Sequence, residues 1–204
     1  AVRLGDYGLK LDEENLGKEY TVSAWIKPDG TLAENQNVLF LGYHNPEKWL
    51  AVSGEKTGTN ACKIWANGNG YKWSTFWSPE IDTEGWHNIT LSGKSGQVTA
   101  YVDGIKLGTH DSNDPLDGEN QGIYLGVTNW DAEFEGLVDE VNVYDIALTE
   151  KEVQEQNKAD YTQMLQEKLE KAVADANLLG KNDSLDNVKY DLTLPAEDNG
   201  MTIT

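Results

Sequence analysis

Cysteine is nearly absent. The 204-residue chain has one, Cys62, so no disulfide can close within it. Its surroundings, Ala61-Cys62-Lys63-Ile64-Trp65, carry no catalytic-thiol signature and read as a strand with a small core or surface residue. Positive charge is scarce as well. Lysine and arginine total 16 against 35 aspartates and glutamates, Arg3 is the sole arginine, and the formal charge is −19. Nucleic acids and anionic membranes are contacted through Lys and Arg, so both are excluded as partners. The acid favours a soluble, self-repelling surface and would suit calcium. The three histidines, His44, His87 and His110, are scattered and give no zinc spacing. No G-x-S-x-G elbow, phosphate-binding glycine loop or nucleophile–base pair is present. No apolar run is long enough to span a membrane, and no signal peptide is visible. The chain opens directly on a strand and reads as a piece of something longer.

What is there is a succession of short β runs. Hydrophobic residues at 38% and seven tryptophans mark a globular chain long enough for one sizeable core plus an extension. The runs fall at roughly 2–11, 19–28, 37–44, 49–54, 61–66, 71–76, 86–93, 97–109, 122–128 and 133–145, with turn residues between them. Regular spacing without any βαβ alternation or repeat predicts an all-β, two-sheet antiparallel sandwich. Asp103-Gly104, between TAYV and IKLG, signals a two-residue hairpin; Asn67-Gly68-Asn69-Gly70 is a second turn.

In the stretch Phe134–Gln156 alternation puts Leu137, Asp139, Val141 and Val143 on one face and Val138, Glu140, Asn142 and Tyr144 on the other. The Leu/Val/Val face should be the core, which would turn Asp139 inward. A buried unpaired carboxylate costs several kcal/mol. Asp139 therefore calls for a cation, with a metal, Arg3 or a lysine as candidates; calcium is the hard-cation solution. Capping by backbone N–H groups at a strand bend is the alternative.

Three motifs carry a resemblance. Phe134, Gly136, Asp139-Glu140-Val141, Tyr144, Ala147-Leu148-Thr149 and Glu152 resemble the closing strand and helix of bacterial laminin-G-like (concanavalin A-like) jelly-roll domains. Tyr20–Pro28 resembles their second strand. Gly85–Leu91 with Val98–Gly104 resembles their central hairpin. The resemblance covers about residues 1–155 and implies a jelly-roll sandwich of the kind found in carbohydrate-binding modules of multidomain secreted glycosidases. It implies Asp139 as a calcium ligand and Asp6, in Leu4-Gly5-Asp6, as a second; Asp6 follows its glycine where relatives have the acid first. It also places Trp25 and Trp86 in the core.

Thr149 and Glu152 form a capping box, so a helix should start there. Asp160 with Gln163 repeats the signal and predicts a break or bend near 157–160. Tyr161, Leu165, Leu169, Val173 and Ala176 form an apolar stripe that must bury against something, and Gly180 ends the helix. In 181–204, Val188, Tyr190, Leu192 and Leu194 alternate, Asp198-Asn199-Gly200 turns, and Met201 and Ile203 follow, a stretch that resembles the opening strands of bacterial immunoglobulin-like domains. The expected organisation is a laminin-G-like β-sandwich at 1–148, a helical linker at 149–180 and the start of a truncated immunoglobulin-like domain at 181–204.

Two clusters could carry chemistry. Glu80, Asp82 and Glu84 would share a face if they lay on a strand. Retaining glycosidases use two such carboxyls about 5–5.5 Å apart. Pro79 and Gly85 favour a loop instead. The second cluster is aromatic. Trp65, Tyr71, Trp73, Phe76 and Trp77 lie in one hairpin and its exit, among Asn, Gly, Ser and Lys rather than Val, Leu and Ile. Flat rings among amides and hydroxyls suit a sugar, whose C–H face stacks while its hydroxyls are hydrogen-bonded. The alternative is that Trp65 and Trp73 close the core. Asn129, Trp130 and Asp131 precede the Asp139 strand and could form a rim.

The sequence therefore predicts a non-catalytic carbohydrate-binding module of a secreted or cell-surface bacterial glycosidase. Its partners would be an oligo- or polysaccharide and adjacent domains, its ligand-binding residues Trp65, Tyr71, Trp73, Trp77, Asn129 and Trp130, and its structural calcium held by Asp139 and Asp6. A spacer module that binds no sugar, and a small hydrolase built on Glu80, Asp82 and Glu84, are the alternatives.

Overall fold

The computed structural model describes residues 1–4, 8–11, 16–42, 48–54, 61–67, 73–119, 121–128, 132–175, 197–198 and 201–202. The chain divides into two compact units, Ala1–Asn157 and Lys158–Thr204. Among the described residues no helix is long and apolar enough to cross a membrane.

The first unit is two antiparallel six-stranded sheets. The first sheet holds β1 (Val2–Leu4), β3 (Glu19–Pro28), β8 (His87–Lys94), β9 (Gln97–Val102), β10 (Ile105–Asp111) and β12 (Gly136–Tyr144), in the order β1-β12-β3-β8-β9-β10. The second holds β2 (Leu9–Leu11), β4 (Asn37–Gly42), β5 (Trp49–Gly54), β6 (Ala61–Asn67), β7 (Trp73–Glu80) and β11 (Gly122–Leu125), in the order β2-β11-β4-β5-β6-β7. The run expected at 2–11 is two strands, each an edge of a different sheet. Gly8, with φ +53°, takes the intervening backbone where a side chain is strained.

The core lies between the sheets. Tyr20, Val22, Ala24 and Ile26 of β3, Ile89 and Leu91 of β8, and Val98, Ala100 and Val102 of β9 meet Leu39, Leu41, Leu50, Val52, Cys62, Ile64, Ile123 and Leu125 of the second sheet. Alternation along each strand puts every second residue into this layer. Cys62 is wholly buried, which pushes its thiol up to about 12 and leaves it unreactive. The β9–β10 turn has Asp103 at φ +52° and Gly104 at φ +74°, the left-handed pair expected of Asp-Gly.

Two expectations about cores fail. Val138, aligned with Ile26, is the core residue of β12, while Leu137 and Asp139 take the opposite face. A bulge follows, with Glu140 at φ +43°, and Val141 packs on the core beyond it. One extra residue inverts the alternation, and the sequence pattern spans that inversion. Trp25 is buried as expected, on the outward face of the first sheet opposite Asn88 and Asp139, whereas Trp86, before β8, is only half-buried.

Helix α1 runs unbroken from Glu150 to Asp175. Thr149 and Glu152 form the capping box at its start: the Thr149 N–H donates to Glu152 at 2.7 Å and the Glu152 N–H to the Thr149 hydroxyl at 3.4 Å. The expected break near 157–160 does not occur, since Asp160 and Gln163 are also compatible with helix interior. Among its residues of described burial, Val153, Asp160 and Met164 are buried, whereas Tyr161, expected on the apolar stripe, is exposed. In the second unit, β13 (Glu197–Asp198) and β14 (Met201–Thr202) pair antiparallel around the expected turn. Val188–Leu194 and Gly180 lie outside the described residues.

Candidate functional site

The outward faces of the two sheets are built differently. On the first sheet the outward faces of β3 and β8 include Thr21, Ser23, Asn88, Thr90 and Ser92, all buried, beside the buried Trp25. They bond to one another: the Asn88 amide donates to Ser23 at 2.9 Å, and the Thr90 hydroxyl lies 3.0 Å from the Ser23 hydroxyl and donates to the Asn88 side-chain oxygen at 2.7 Å. The segment leading into α1 lies over them. Thr21 donates to the Ile146 carbonyl at 2.8 Å and accepts from the Leu148 N–H at 2.9 Å, and Ser92 donates to the Leu148 carbonyl at 2.9 Å. The hydroxyls of Thr21, Ser23, Thr90 and Ser92 are thus spent on the fold.

The outward face of the second sheet is aromatic. Register aligns Lys10, Tyr124, Phe40, Ala51, Trp65 and Thr75 into one row across six strands. Phe40, Trp49 and Ala51 form a buried cluster here, with Trp65 and Tyr124 half-buried against it. The rings make a continuous ribbon. Tyr124 meets Phe40 edge-on at 5.9 Å between centroids, Phe40 stacks on Trp49 at 6.1 Å, and Trp49 meets Trp65 edge-on at 6.3 Å. These are offset-stacked and T-shaped arrangements that the ring quadrupoles favour. The Trp65 indole N–H donates to the buried Ser53 hydroxyl at 2.8 Å, which fixes that ring. Tyr124 lies down over Gly122, where a Cβ would come within 2.7 Å of its ring. The Lys10 ammonium sits 5.6 Å from the Tyr124 centroid, a cation–π contact at the end of the ribbon.

Of the residues singled out in the sequence, Trp65 is on this ribbon and does not close the inter-sheet core. Trp73 and Trp77 are in β7, whose backbone register pairs them with Asn67 and Lys63. Tyr71, Asn129, Trp130 and Asp6 lie outside the described residues. Sequence reasoning missed Phe40 and Tyr124 and left Trp49 outside the site. VLFLG and GIYL read as plain buried strands; only alternation beside Leu39, Leu41, Ile123 and Leu125 could have turned the two rings outward.

Asp139 is not sunk in the core. Its carboxylate is about a quarter exposed, accepts the Glu140 N–H at 3.1 Å and lies 3.1 Å from the Ala1 nitrogen. Calcium takes six to eight oxygens, and among the described residues no group of three acidic, histidine or cysteine side chains gathers to hold a metal. The described donors therefore do not by themselves fit a calcium ion, and the expectation rests on Asp6.

Glu80, Asp82 and Glu84 do not share a strand face. β7 ends at Glu80, and Ile81 is buried. Asp82 folds back onto its own loop, accepting the Gly85 and Glu84 N–H groups, which hold its carboxyl below the usual carboxylate range together with His87. The constellation is a turn cap. His87 bonds Asp103 at 2.8 Å through Nδ1, with Asp82 3.6 Å from Nε2. Burial opposes its charged form, but the Asp103 hydrogen bond and the charges of Asp103 and Asp82 outweigh burial and raise its pKa.

Residues 4–154 match the model of the concanavalin A-like lectin/glucanases superfamily of laminin-G type. Among solved structures, the chain is similar to domain 4 of AbnA, a GH43 extracellular arabinanase from Geobacillus stearothermophilus solved with arabinotriose. The identity is 28%, the TM-score 0.59, and the match covers 72% of this chain and 71% of that one. It is also similar to the CBM40 module of the Ruminococcus gnavus IT-sialidase, solved with α2,3-sialyllactose, at 17% identity and TM-score 0.60, over 76% of this chain and 95% of that one. A pentraxin from Limulus polyphemus matches at 16% identity and TM-score 0.52, over 68% and 69%. The last two establish the fold alone. No protein of curated function matches the chain.

Proposed function

We propose that this chain, which belongs to the concanavalin A-like lectin/glucanases superfamily, is a non-catalytic carbohydrate-binding module of a secreted bacterial glycoside hydrolase. The observation that carries the reading is the aromatic ribbon on the outward face of the second sheet, with Trp65 and Tyr124 half-exposed above buried Phe40 and Trp49. A sugar ring stacks its C–H face on such surfaces, and solvent-facing rings on a rigid sheet are already oriented for it. Trp73 and Trp77 are on β7, the strand next to the Trp65 strand. The domain of the arabinanase, solved with arabinotriose, makes arabinan the first polymer to try. The turn-cap role of Asp82 supports a module without glycosidase carboxylates of its own.

The test is binding of the chain to a panel of plant and host polysaccharides, arabinan included, by affinity electrophoresis and calorimetry. Saturable binding that Trp65→Ala weakens about tenfold, on a protein that still folds, supports the reading. A blank panel sinks it and leaves the spacer reading, which the complete burial of Phe40 and near-burial of Trp49 favour. A structural calcium at Asp139 and Asp6 is a separate proposal. Calcium should then raise the melting temperature, a chelator should reverse the rise, and Asp139→Asn should abolish it; identical melts in calcium and in chelator would remove the ion from the account.

A further inference from the structure

Resting on that glycan-binding reading, we infer that the ribbon recognises an internal stretch of a linear glycan laid across the strands, and not a chain end. The register row from Lys10 to Thr75 crosses six strands, so it extends over five strand spacings, roughly 24 Å. Its two half-exposed rings, Tyr124 on β11 and Trp65 on β6, are three spacings apart, roughly 14 Å. No single sugar ring rests on both. A ligand that does must present at least three consecutive units.

The ground between the two rings is passable. Phe40 and Trp49 are sunk below them, and the position facing Phe40 on β5 is Ala51, whose methyl raises nothing above the cluster. The centroid steps of 5.9, 6.1 and 6.3 Å leave no break in the ribbon. End recognition needs a different shape: an enclosing pocket with polar groups converging on a terminal unit. The apolar cavity of about 140 Å³ at Leu11, Leu16, Leu116, Ile123 and Val143 takes residues from both sheets and offers a sugar one amide, Gln121. The buried hydroxyls of Thr21, Ser23, Thr90 and Ser92 on the first sheet bond to one another and to residues 146–148.

The experiment is calorimetry of the 204-residue chain against α-1,5-arabino-oligosaccharides and xylo-oligosaccharides, from disaccharide to octasaccharide. Affinity should be weak for the disaccharide, rise about tenfold or more once both rings are reached, and then level. In the series that binds, Trp65→Ala and Tyr124→Ala should each erase that rise while barely changing the disaccharide. Trp65→Phe, which keeps a ring with less disturbance of the fold, should restore most of it. Affinity that is already complete for the disaccharide, or that is lost when only the terminal unit is modified, overturns the inference while leaving the glycan reading intact. Absence of binding at every length by folded protein overturns both.

Discussion

The two outward faces of this sandwich start from the same geometry and reach opposite ends. Each is the solvent side of a six-stranded antiparallel sheet whose other side fills a common core. On the first sheet that side carries buried hydroxyl and amide residues beside Trp25 and Tyr101, and the segment entering α1 covers the hydroxyls of Thr21 and Ser92 with hydrogen bonds. On the second it carries large rings that cover one another and leave Trp65 and Tyr124 partly in solvent. Polar groups under a lid must be paired, so that face is committed to stability. Rings need no partner to sit at a surface, so the other face keeps contact area to offer a ligand. Chemistry that could bind a sugar's hydroxyls is therefore consumed on one side, and chemistry that could stack on a sugar is kept on the other.

The strongest way to break the contrast is Phe40→Ala. It removes the wholly buried base of the ribbon, and unfolding free energy should drop by about 3–5 kcal/mol, with glycan affinity lost in the fraction that still folds; chemical denaturation and calorimetry read the two separately. Thr21→Val attacks the other face. It strips the Leu148 N–H and Ile146 carbonyl of their partner and should cost about 1–3 kcal/mol, with glycan affinity unchanged below the melting transition. A loss of affinity there would mean the two faces are coupled. Ser53→Ala frees the Trp65 indole N–H and should cost about 1 kcal/mol; affinity should fall by less than with Trp65→Ala, because the ring itself stays.

The smallest effect sharpens the comparison through pH. His87 has a raised pKa in the fold. Its stabilisation is complete below the unfolded value of about 6.5 and is lost as pH rises through the higher folded value. Denaturant midpoints measured across that window should fall on the alkaline side, and His87→Gln should flatten the profile. Glycan binding should not follow this titration, since His87 begins β8 of the first sheet and the ribbon lies on the second. A parallel loss of binding would contradict the assignment of the site.

How much was legible depends on the kind of signal. Strands β3 and β5 and the β9–β10 turn were readable because alternation and Asp-Gly chemistry are local. The start of α1 was readable because Thr149 and Glu152 satisfy each other within one turn. The facing of β12 was not. Glu140 at positive φ inserts one residue, and a period-2 pattern that puts Val141 and Val143 on the core side assigns Leu137 and Asp139, before the bulge, to the wrong face. Asp139 is therefore partly exposed rather than sunk in the core, with its carboxylate 3.1 Å from the Ala1 nitrogen and accepting the Glu140 N–H. The ribbon was half legible: Trp65 stood out among polar neighbours, but Phe40 and Tyr124 sat inside apolar runs.

By itself the sequence determined the class of the molecule. Short runs, turn residues and one cysteine leave an antiparallel sandwich with no disulfide within the chain, because composition and local periodicity act over a few residues. Only the tertiary structure decided which residues meet. Tyr124, Phe40, Ala51 and Trp65 are separated by up to 84 positions in the chain and become neighbours through β11-β4-β5-β6 pairing. Register is set jointly by the core face of every strand, so the position of each outward ring follows from the burial of residues on the opposite side of its sheet.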